Sequence, residues 1–198
     1  MAAGSSSRMG SPKQLLPWEN TSLIANEVEK SIQLKQVMTY VILGANFEVI
    51  KKEIAHFPVE ILHNRNWKLG MGSSISFGIQ QTLKSKENFE AVLITLVDQP
   101  LIDEAHLTSL ISKFNQNQDA IIATAMKERI GVPAIFPGQY FEELSGLNED
   151  YGARHVIKNY KDQIITVDGK DKTDDIDTIE QYKALCKRVK ERAKHSDL

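Results

Sequence analysis

Strand-like and helix-like patterns alternate along this chain, and that alternation is the strongest constraint on its fold. Apolar runs typical of buried strands occupy residues 37–43, 91–97 and 164–167. Helical spacing of apolar side chains is found at 20–34 and 103–114, and Asp103 is predicted to cap the second of these helices at its N-terminus. Alternating strands and helices favour a parallel sheet that is covered by helices. The sequence therefore predicts an α/β fold with a parallel, helix-covered sheet.

The first residues of the chain combine small side chains with two cations. Gly4 and Gly10 allow the backbone to approach a ligand closely. Ser5 begins a run of serines whose hydroxyl and N–H groups are suited to an anion nest. Arg8 and Lys13 add positive charge, although the spacing matches neither the Walker A nor the G-x-G-x-x-G pattern. This opening loop is typical of a polyphosphate-binding site.

Asp98 directly follows the most apolar strand pattern, at 91–97, and precedes Gln99 and Pro100. Ligands of parallel sheets bind at the carboxyl ends of the strands. We therefore expect Asp98, the turn at Gly44 and the opening loop on one rim. A carboxylate at that place is suited to hold Mg²⁺. The structural alternative is that Asp98 caps the next helix or turn.

A second block rich in glycine and serine lies at 64–75, where Ser73 and Ser74 open a helical pattern. Free N–H groups at a helix N-terminus bind anions and polar ligands. The alternative is a loop with a serine cap and with Trp67 in the core. Judged alone, the block favours this structural role.

Weaker signals follow downstream. The segments 131–134 and 151–154 are consistent with turns or caps. Three aspartates precede the last helical pattern, where they either complement the helix dipole or supply a second carboxylate to a metal at Asp98. These aspartates are Asp174, Asp175 and Asp177. Judged alone, they favour the capping role.

Composition excludes several classes of function. A formal net charge of −2 gives no global attraction to nucleic acid or to an anionic membrane. No run approaches the roughly 20 apolar residues of a membrane span, and no secretory signal pattern is present. The single cysteine, Cys186, excludes an intramolecular disulfide. We expect a cytoplasmic protein with one domain over 1–198, and a basic C-terminal tail from about residue 187.

Taken together, these blocks resemble MobA-like nucleotidyltransferases. Residues 2–18 are similar to the family signature, and 64–74 resembles its molybdenum cofactor cytidylyltransferase branch. Shorter blocks that match this branch follow in the same order, at 97–100, 131–133, 152–154 and 175–178. The resemblance runs from residue 2 to about residue 182. It implies a Rossmann-like three-layer αβα sandwich with a mostly parallel sheet, of the nucleotide-diphospho-sugar transferase type.

The resemblance also implies roles for individual residues. Lys13, Arg8 and Asp98 would be catalytic, and Asp98 with Asp175 would hold Mg²⁺, with Asp177 close behind as a candidate. The nucleotide would be bound by residues of the opening loop and of the second glycine block, namely Ala2, Ala3, Gly4, Ser5, Arg8, Gly10, Lys13, Gly72, Ser73 and Ser74. The acceptor would contact Pro133 and Arg154.

The implied reaction is transfer of CMP from CTP to the molybdopterin form of the molybdenum cofactor, with release of pyrophosphate. The partners would then be CTP, a phosphorylated pterin and an apo-molybdoenzyme. One alternative is transfer from another nucleotide such as GTP, or to a sugar or polyol phosphate. A second is a non-catalytic carrier of the finished cofactor. Val132 stands where the family often has histidine, in a loop that lies near the acceptor in relatives.

The position of the opening loop raises one more expectation. In relatives a central strand precedes this loop, whereas only Met1 stands before Ala2 here. We expect either that the natural chain starts further upstream or that another segment takes the place of that strand. The sequence as given is then predicted to show weak activity or poor stability.

Overall fold

The computed structural model describes residues 1–6, 9–148 and 152–196, with side chains as far as 192. The strands are β1 (Pro17–Trp18), β2 (Thr21–Ser22), β3 (Tyr40–Leu43), β4 (Glu60–His63), β5 (Ala91–Ile94), β6 (Ile121–Ala125), β7 (Ile130–Pro137) and β8 (Ile164–Asp168). The α-helices are α1 (Leu23–Gln33), α2 (Phe47–Ile54), α3 (Met71–Lys84), α4 (Glu104–Asn115), α5 (Phe141–Ser145), α6 (Ala153–Asn159) and α7 (Ile179–Ser196).

The predicted mostly parallel sheet is confirmed, with β7 as its exception. The larger part has the order β5-β7-β6-β8, and β3 pairs with β4 in a separate parallel piece. Strand β8 is parallel to β6, whereas β7 is antiparallel to both β5 and β6. Residues 126–129 alone join β6 to β7. Such a short connection makes an antiparallel pair, because parallel strands need a longer crossover.

Residues 1–3 join the two parts of the sheet. The Met1 amino group donates to the Thr95 carbonyl at 2.9 Å, and Val97 N–H donates to the Met1 carbonyl at 3.2 Å. On the other side, Ala2 N–H donates to the carbonyl oxygen of Ile42 at 3.0 Å. Between β3 and β5 lies a cavity of about 570 Å³, at the place where the resemblance predicts a central strand.

Helices cover both faces of the sheet, as predicted. Side chains alternate between the two faces of a strand. Ile121 and Phe136 pack in a cluster with α3, α5 and α6, whereas their neighbours Ile122 and Ile135 pack in another with α4. A third cluster places α1, α2 and α7 around β3. Asp103 caps α4 as expected, because its carboxylate accepts a hydrogen bond from His106 N–H at 2.9 Å.

Two boundaries differ from the sequence prediction. The regular strand β5 ends at Ile94, and the following residues to Val97 are held through Met1 rather than by a full strand partner. The segment predicted as a basic tail from about residue 187 is helical as far as Ser196. Arg188 pairs with Asp174 at 2.6 Å, which anchors this helix to the preceding loop. Among the described residues, no helix has the length and apolarity of a membrane span.

Candidate active site

A buried glutamine shapes the opening loop. The Gln14 side chain is 1% exposed, and its Nε2 donates to the carbonyl oxygens of Ala2 and Gly4, each at 2.9 Å. Ser6 Oγ donates to Gln14 Oε1 at 3.3 Å and accepts from Lys13 N–H at 3.0 Å. Gln14 was not predicted as a site residue, because only its position next to Lys13 indicated a role in the loop.

The backbone of this loop takes conformations that suit its composition. Gly10 has a φ of +70° and Ser6 a φ of +54°, so both residues adopt left-handed backbone conformations. Glycine adopts such angles without steric cost. Arg8, predicted to be catalytic and nucleotide-binding, lies outside the described residues.

Lys13 and Asp98, predicted to act together, are in direct contact. Lys13 Nζ donates to Asp98 Oδ2 at 2.8 Å and to the carbonyl oxygen of Ile176 at 2.9 Å. Asp177 Oδ1 lies 3.5 Å from the same ammonium. Ile176 N–H donates in turn to the Asp98 carbonyl at 2.9 Å, which fixes the acidic segment beside the end of the strand. Residues far apart in sequence thus place one cation among several oxygen atoms.

The donor set at this place is suited to a divalent cation. Asp98 Oδ1 is buried and accepts no hydrogen bond from the residues that the structure describes. Asp98 Oδ2 and Asp177 Oδ1 lie 2.8 Å and 3.5 Å from the positively charged Nζ of Lys13. Carboxylate and carbonyl oxygens are the ligands that Mg²⁺ prefers. Within the described ranges, no three His, Cys, Asp or Glu side chains form a preassembled metal cluster.

Asp175, predicted as the second metal ligand, is engaged by two other side chains. Gln99 Nε2 donates to its Oδ1 at 2.9 Å, and Arg129 Nη2 donates to its Oδ2 at the same distance. Burial raises the pKa of Asp175, and the nearby charges of Asp98 and Asp177 add to this increase. The hydrogen bond from Gln99 and the charge of Arg129 oppose it. Neither Gln99 nor Arg129 was identified from the sequence as a site residue.

The second glycine block forms the start of α3 and is organised by Asn64. Asn64 Nδ2 donates to Ser74 Oγ at 2.9 Å and to Ser73 Oγ at 3.3 Å. Ser73 Oγ also donates to the Gly70 carbonyl at 2.8 Å. These contacts support the structural role that the block alone favours. A nucleotide-binding role for Gly72, Ser73 and Ser74 stays a prediction.

The turn at Gly44 brings this block against the opening loop. A Cβ at Gly44 would lie 2.5 Å from Trp67 Cβ and 2.6 Å from the Ala3 carbonyl oxygen. Only glycine allows such a close approach, so the two predicted nucleotide-binding segments are packed against one another at this point. The backbones of Ala2 and Ala3 themselves are committed to the sheet.

A cavity of about 290 Å³ brings together several of the predicted residues. Asp98, Asp175, Asp177 and Arg154 line it, together with Arg129. Its other walls are largely apolar and come from the start of α3 and from the β6–β7 hairpin, namely Met71, Ile75, Met126, Ile130 and Val132. Pro133 is buried next to this wall rather than in the lining, while its neighbours Gly131 and Val132 line the cavity.

The buried His106 stabilises the β6–β7 hairpin through the side chain of Thr124. The Thr124 hydroxyl donates to the Pro133 carbonyl at 2.7 Å, and His106 Nε2 lies 2.9 Å from the same hydroxyl oxygen. Because the hydroxyl has only one proton, His106 Nε2 must be the donor in the second bond. Burial lowers the pKa of His106, and the charge of Lys172 lowers it further. His106 is therefore a neutral structural residue that holds β6 and β7 together.

Comparison with known proteins gives a consistent picture. A family model described as the MobA-like NTP transferase domain matches residues 1–164. Nicotine blue oxidoreductase from Paenarthrobacter nicotinovorans is 27% identical over 194 residues, which cover 93% of each protein.

Several solved structures share the fold. Rv0371c from Mycobacterium tuberculosis H37Rv has a TM-score of 0.81 at 23% identity, over 94% of both chains. A complex of Rv0371c with manganese gives 0.76 at 21% identity, over 93% of this chain and 94% of the other. Molybdopterin-guanine dinucleotide biosynthesis protein A from Archaeoglobus fulgidus gives 0.67 at 12% identity, over 96% of both chains. These likenesses establish the αβα architecture.

Proposed function

Because the chain belongs to the MobA-like NTP transferase domain family, we propose that it transfers CMP from CTP to the molybdopterin form of the molybdenum cofactor and releases pyrophosphate. The observation that carries this proposal is the contact between Lys13 Nζ and Asp98 at the base of the opening loop. It joins the cation of a phosphate-binding loop to a half-buried carboxylate at one edge of the sheet. The reaction is a Mg²⁺-dependent nucleotidyl transfer.

The nucleotide side of the site consists of the opening loop and Lys13. Gln14 holds the carbonyl oxygens of Ala2 and Gly4, which fixes the first residues of the loop before a ligand binds. A preformed loop reduces the ordering cost of binding a triphosphate. Lys13 would neutralise charge on the phosphates, with Arg8 as a second cation. Such fixed charges stabilise the charge that develops on the leaving pyrophosphate.

Asp98 and Asp177 are the residues that would hold the metal ion, and its chemistry would be to neutralise the phosphates of the nucleotide. The free lone pairs of Asp98 Oδ1 support this assignment. Asp175 fits less well as a direct ligand, because Gln99 and Arg129 already occupy its two oxygens.

The acceptor side is the cavity of about 290 Å³ beside Asp98. An acceptor that already carries a phosphate needs no strong general base, because its attacking oxygen is anionic. The task of the protein is to bring two anions together in line. Arg154, exposed at the start of α6 and lining the cavity, would offset part of their repulsion. The resemblance of 64–74 to the cytidylyltransferase branch supports CTP and a phosphorylated pterin as the substrates.

The first test is pyrophosphate release by the purified full chain with Mg²⁺ and molybdopterin. CTP, GTP, ATP and UTP are compared at equal concentration, and reactions without acceptor serve as blanks. We expect release with CTP to exceed that with the other nucleotides. A preference for GTP would replace CMP by GMP in the proposal, and preference for a sugar or polyol phosphate would replace the acceptor. Binding of the cofactor with no pyrophosphate from any nucleotide would favour the carrier alternative.

A second candidate function is favoured by one specific observation. The similarity to nicotine blue oxidoreductase covers 93% of both proteins, although that protein is named for a redox reaction. In this case the apolar cavity would hold a conjugated redox substrate, and NADH or NADPH from solution would supply the two electrons. Oxidation of NADH or NADPH in the presence of nicotine blue, followed by absorbance, separates the two functions. Rapid acceptor-dependent oxidation without any pyrophosphate release would replace the transferase proposal.

A further inference from the structure

Arg129 is the cavity-lining cation that no sequence motif identified. Resting on the proposed nucleotidyl transfer, we infer that Arg129 binds the anionic group of the acceptor and so selects phosphorylated over uncharged acceptors. Arg129 lies in the turn between β6 and β7 and lines the cavity beside Asp98. Gln99 and Asp175 are positioning residues that orient its guanidinium.

The turn that carries Arg129 is well defined. Met126 N–H donates to the Arg129 carbonyl at 2.8 Å, which closes the hairpin directly before β7. The Arg129 side chain is 42% exposed, yet it lines the same cavity as Asp98. Its guanidinium is thus open to a ligand from solvent while it faces the place where the reaction would occur.

The buried carboxamide of Gln99 orients the Arg129 guanidinium through Asp175. Gln99 is 1% exposed and fixes Asp175 Oδ1, while the other Asp175 oxygen accepts from Arg129 Nη2 at 2.9 Å. One nitrogen of the arginine is therefore occupied. The remaining N–H groups of a guanidinium stay available, and their planar arrangement matches the oxygens of a phosphate.

The two sides of the site carry separate cations. Lys13 is held by Asp98 and by Ile176 O, whereas Arg129 is held by Asp175. Each of the two reacting anions would then face its own cation, which lowers the repulsion between them. The arrangement assigns Lys13 to the triphosphate and Arg129 to the acceptor.

The walls near Arg129 indicate what else the acceptor carries. Met71, Met126 and Val132 line the cavity with apolar surface, and methionine side chains adapt to flat conjugated rings. A ligand with an apolar ring system and one phosphate matches both features. An uncharged ring compound would gain the apolar contacts alone.

The test uses phenyl phosphate as a probe, with phenol as its uncharged counterpart. Calorimetric titration gives the affinity of each probe, and of CTP, for the full chain in the presence of Mg²⁺. The variants are Arg129→Ala, Arg129→Lys and, as a matched control, Lys127→Ala, which removes an exposed cation from the same turn. We expect Arg129→Ala to weaken phenyl phosphate binding by about ten- to a hundredfold, as for a hydrogen bond to a charged group. Arg129→Lys should recover part of that loss.

The control measurements separate this inference from the proposed function. CTP affinity should be the same in Arg129→Ala as in the wild type, and Lys127→Ala should bind phenyl phosphate normally. Steady-state kinetics should show a raised KM for the acceptor in Arg129→Ala with the KM for CTP unchanged. Equal phenyl phosphate affinity in Arg129→Ala and wild type, in a protein that still binds CTP, overturns the inference alone. Failure of the wild type to bind CTP overturns the proposed function instead.

Discussion

The two sides of the candidate site are built in different ways. The nucleotide side is a polar network in which Gln14, Ser6 and Lys13 are joined by hydrogen bonds within a few residues of one another. The proposed acceptor side is a cavity with largely apolar walls, and one of its cations, Arg129, is oriented by residues from distant parts of the chain. A site for a triphosphate needs many fixed donors, whereas a site for a ring compound needs shape and a small number of polar groups.

This difference has a consequence for specificity. The proposed nucleotide side would contact phosphate groups, which every nucleoside triphosphate carries. The acceptor side uses side chains of α3 and the β6–β7 hairpin, which can change without disturbing the loop.

The largest effect is expected where the two sides meet. Asp98→Asn removes the negative charge that would hold the metal while it preserves the shape of the side chain. Metal-dependent pyrophosphate release should fall to the background rate, with the thermal unfolding temperature close to that of the wild type. Asp174→Asn, which alters an aspartate paired with Arg188, is the matched control and should remain active. Metal-dependent turnover by Asp98→Asn would refute its role.

The second largest effect on turnover is expected from Lys13, on the proposed nucleotide side of the site. Lys13→Ala should lower kcat by about 10²–10³-fold, the range for loss of one transition-state donor. Lys158→Ala, at an exposed position on α6, is the control for removal of a lysine. Turnover near the wild-type rate in Lys13→Ala would show that the opening loop is not the triphosphate site. A loss confined to the acceptor KM would reverse the assignment of the two sides.

The hydrogen-bond network of the opening loop can be tested through stability. Gln14→Leu has nearly the same size but leaves the carbonyls of Ala2 and Gly4 without their donor. Each buried group without a partner costs about 1–3 kcal/mol, so the free energy of unfolding in urea should drop by that order. The KM for CTP should rise as well, with the acceptor affinity unchanged. An unchanged unfolding midpoint would mean that the loop is not held by Gln14.

The smallest effect is expected from His106, which holds the β6–β7 hairpin through Thr124. Because the pKa of His106 is lowered in the folded state, the unfolded chain takes up the proton first as the pH falls below about 6.5. Stability should therefore decrease on acidification from pH 7, by at most about 1.4 kcal/mol per pH unit from this group. In His106→Gln the slope of unfolding free energy against pH should be smaller. Identical slopes for the two proteins would contradict the neutral, buried state of His106.

Much of the fold could be predicted from the sequence because it depends on local patterns. The helical spacing at 103–114 and its cap at Asp103 reappear as α4, and the apolar runs reappear as strands. The short helices α5 and α6 were missed, because they are too short to show a periodic pattern and are stabilised by packing against α3 and β7. The antiparallel direction of β7 was not predicted, because it depends on the short connection at residues 126–129.

The residues of the candidate site likewise fall into those that the sequence predicted and those that it did not. Lys13 and Asp98 were predicted to act together, and their side chains are in contact. Gln99 and Arg129 were missed, because their importance comes from contacts with Asp175 across the fold and from no spacing along the chain. Asp175 itself was predicted as a metal ligand, and only the structure reveals the two partners that engage it.

The most direct test of the central claim is the fate of the α-phosphate of CTP. The full chain is incubated with Mg²⁺, molybdopterin and CTP labelled at that phosphate, and both the labelled acceptor and free pyrophosphate are quantified. We expect the label to move to the acceptor, with one pyrophosphate released for each transfer. In Lys13→Ala, most of the labelled acceptor and most of the pyrophosphate should be lost. CTP that stays intact while bound, with no labelled acceptor formed, would contradict the proposed transfer.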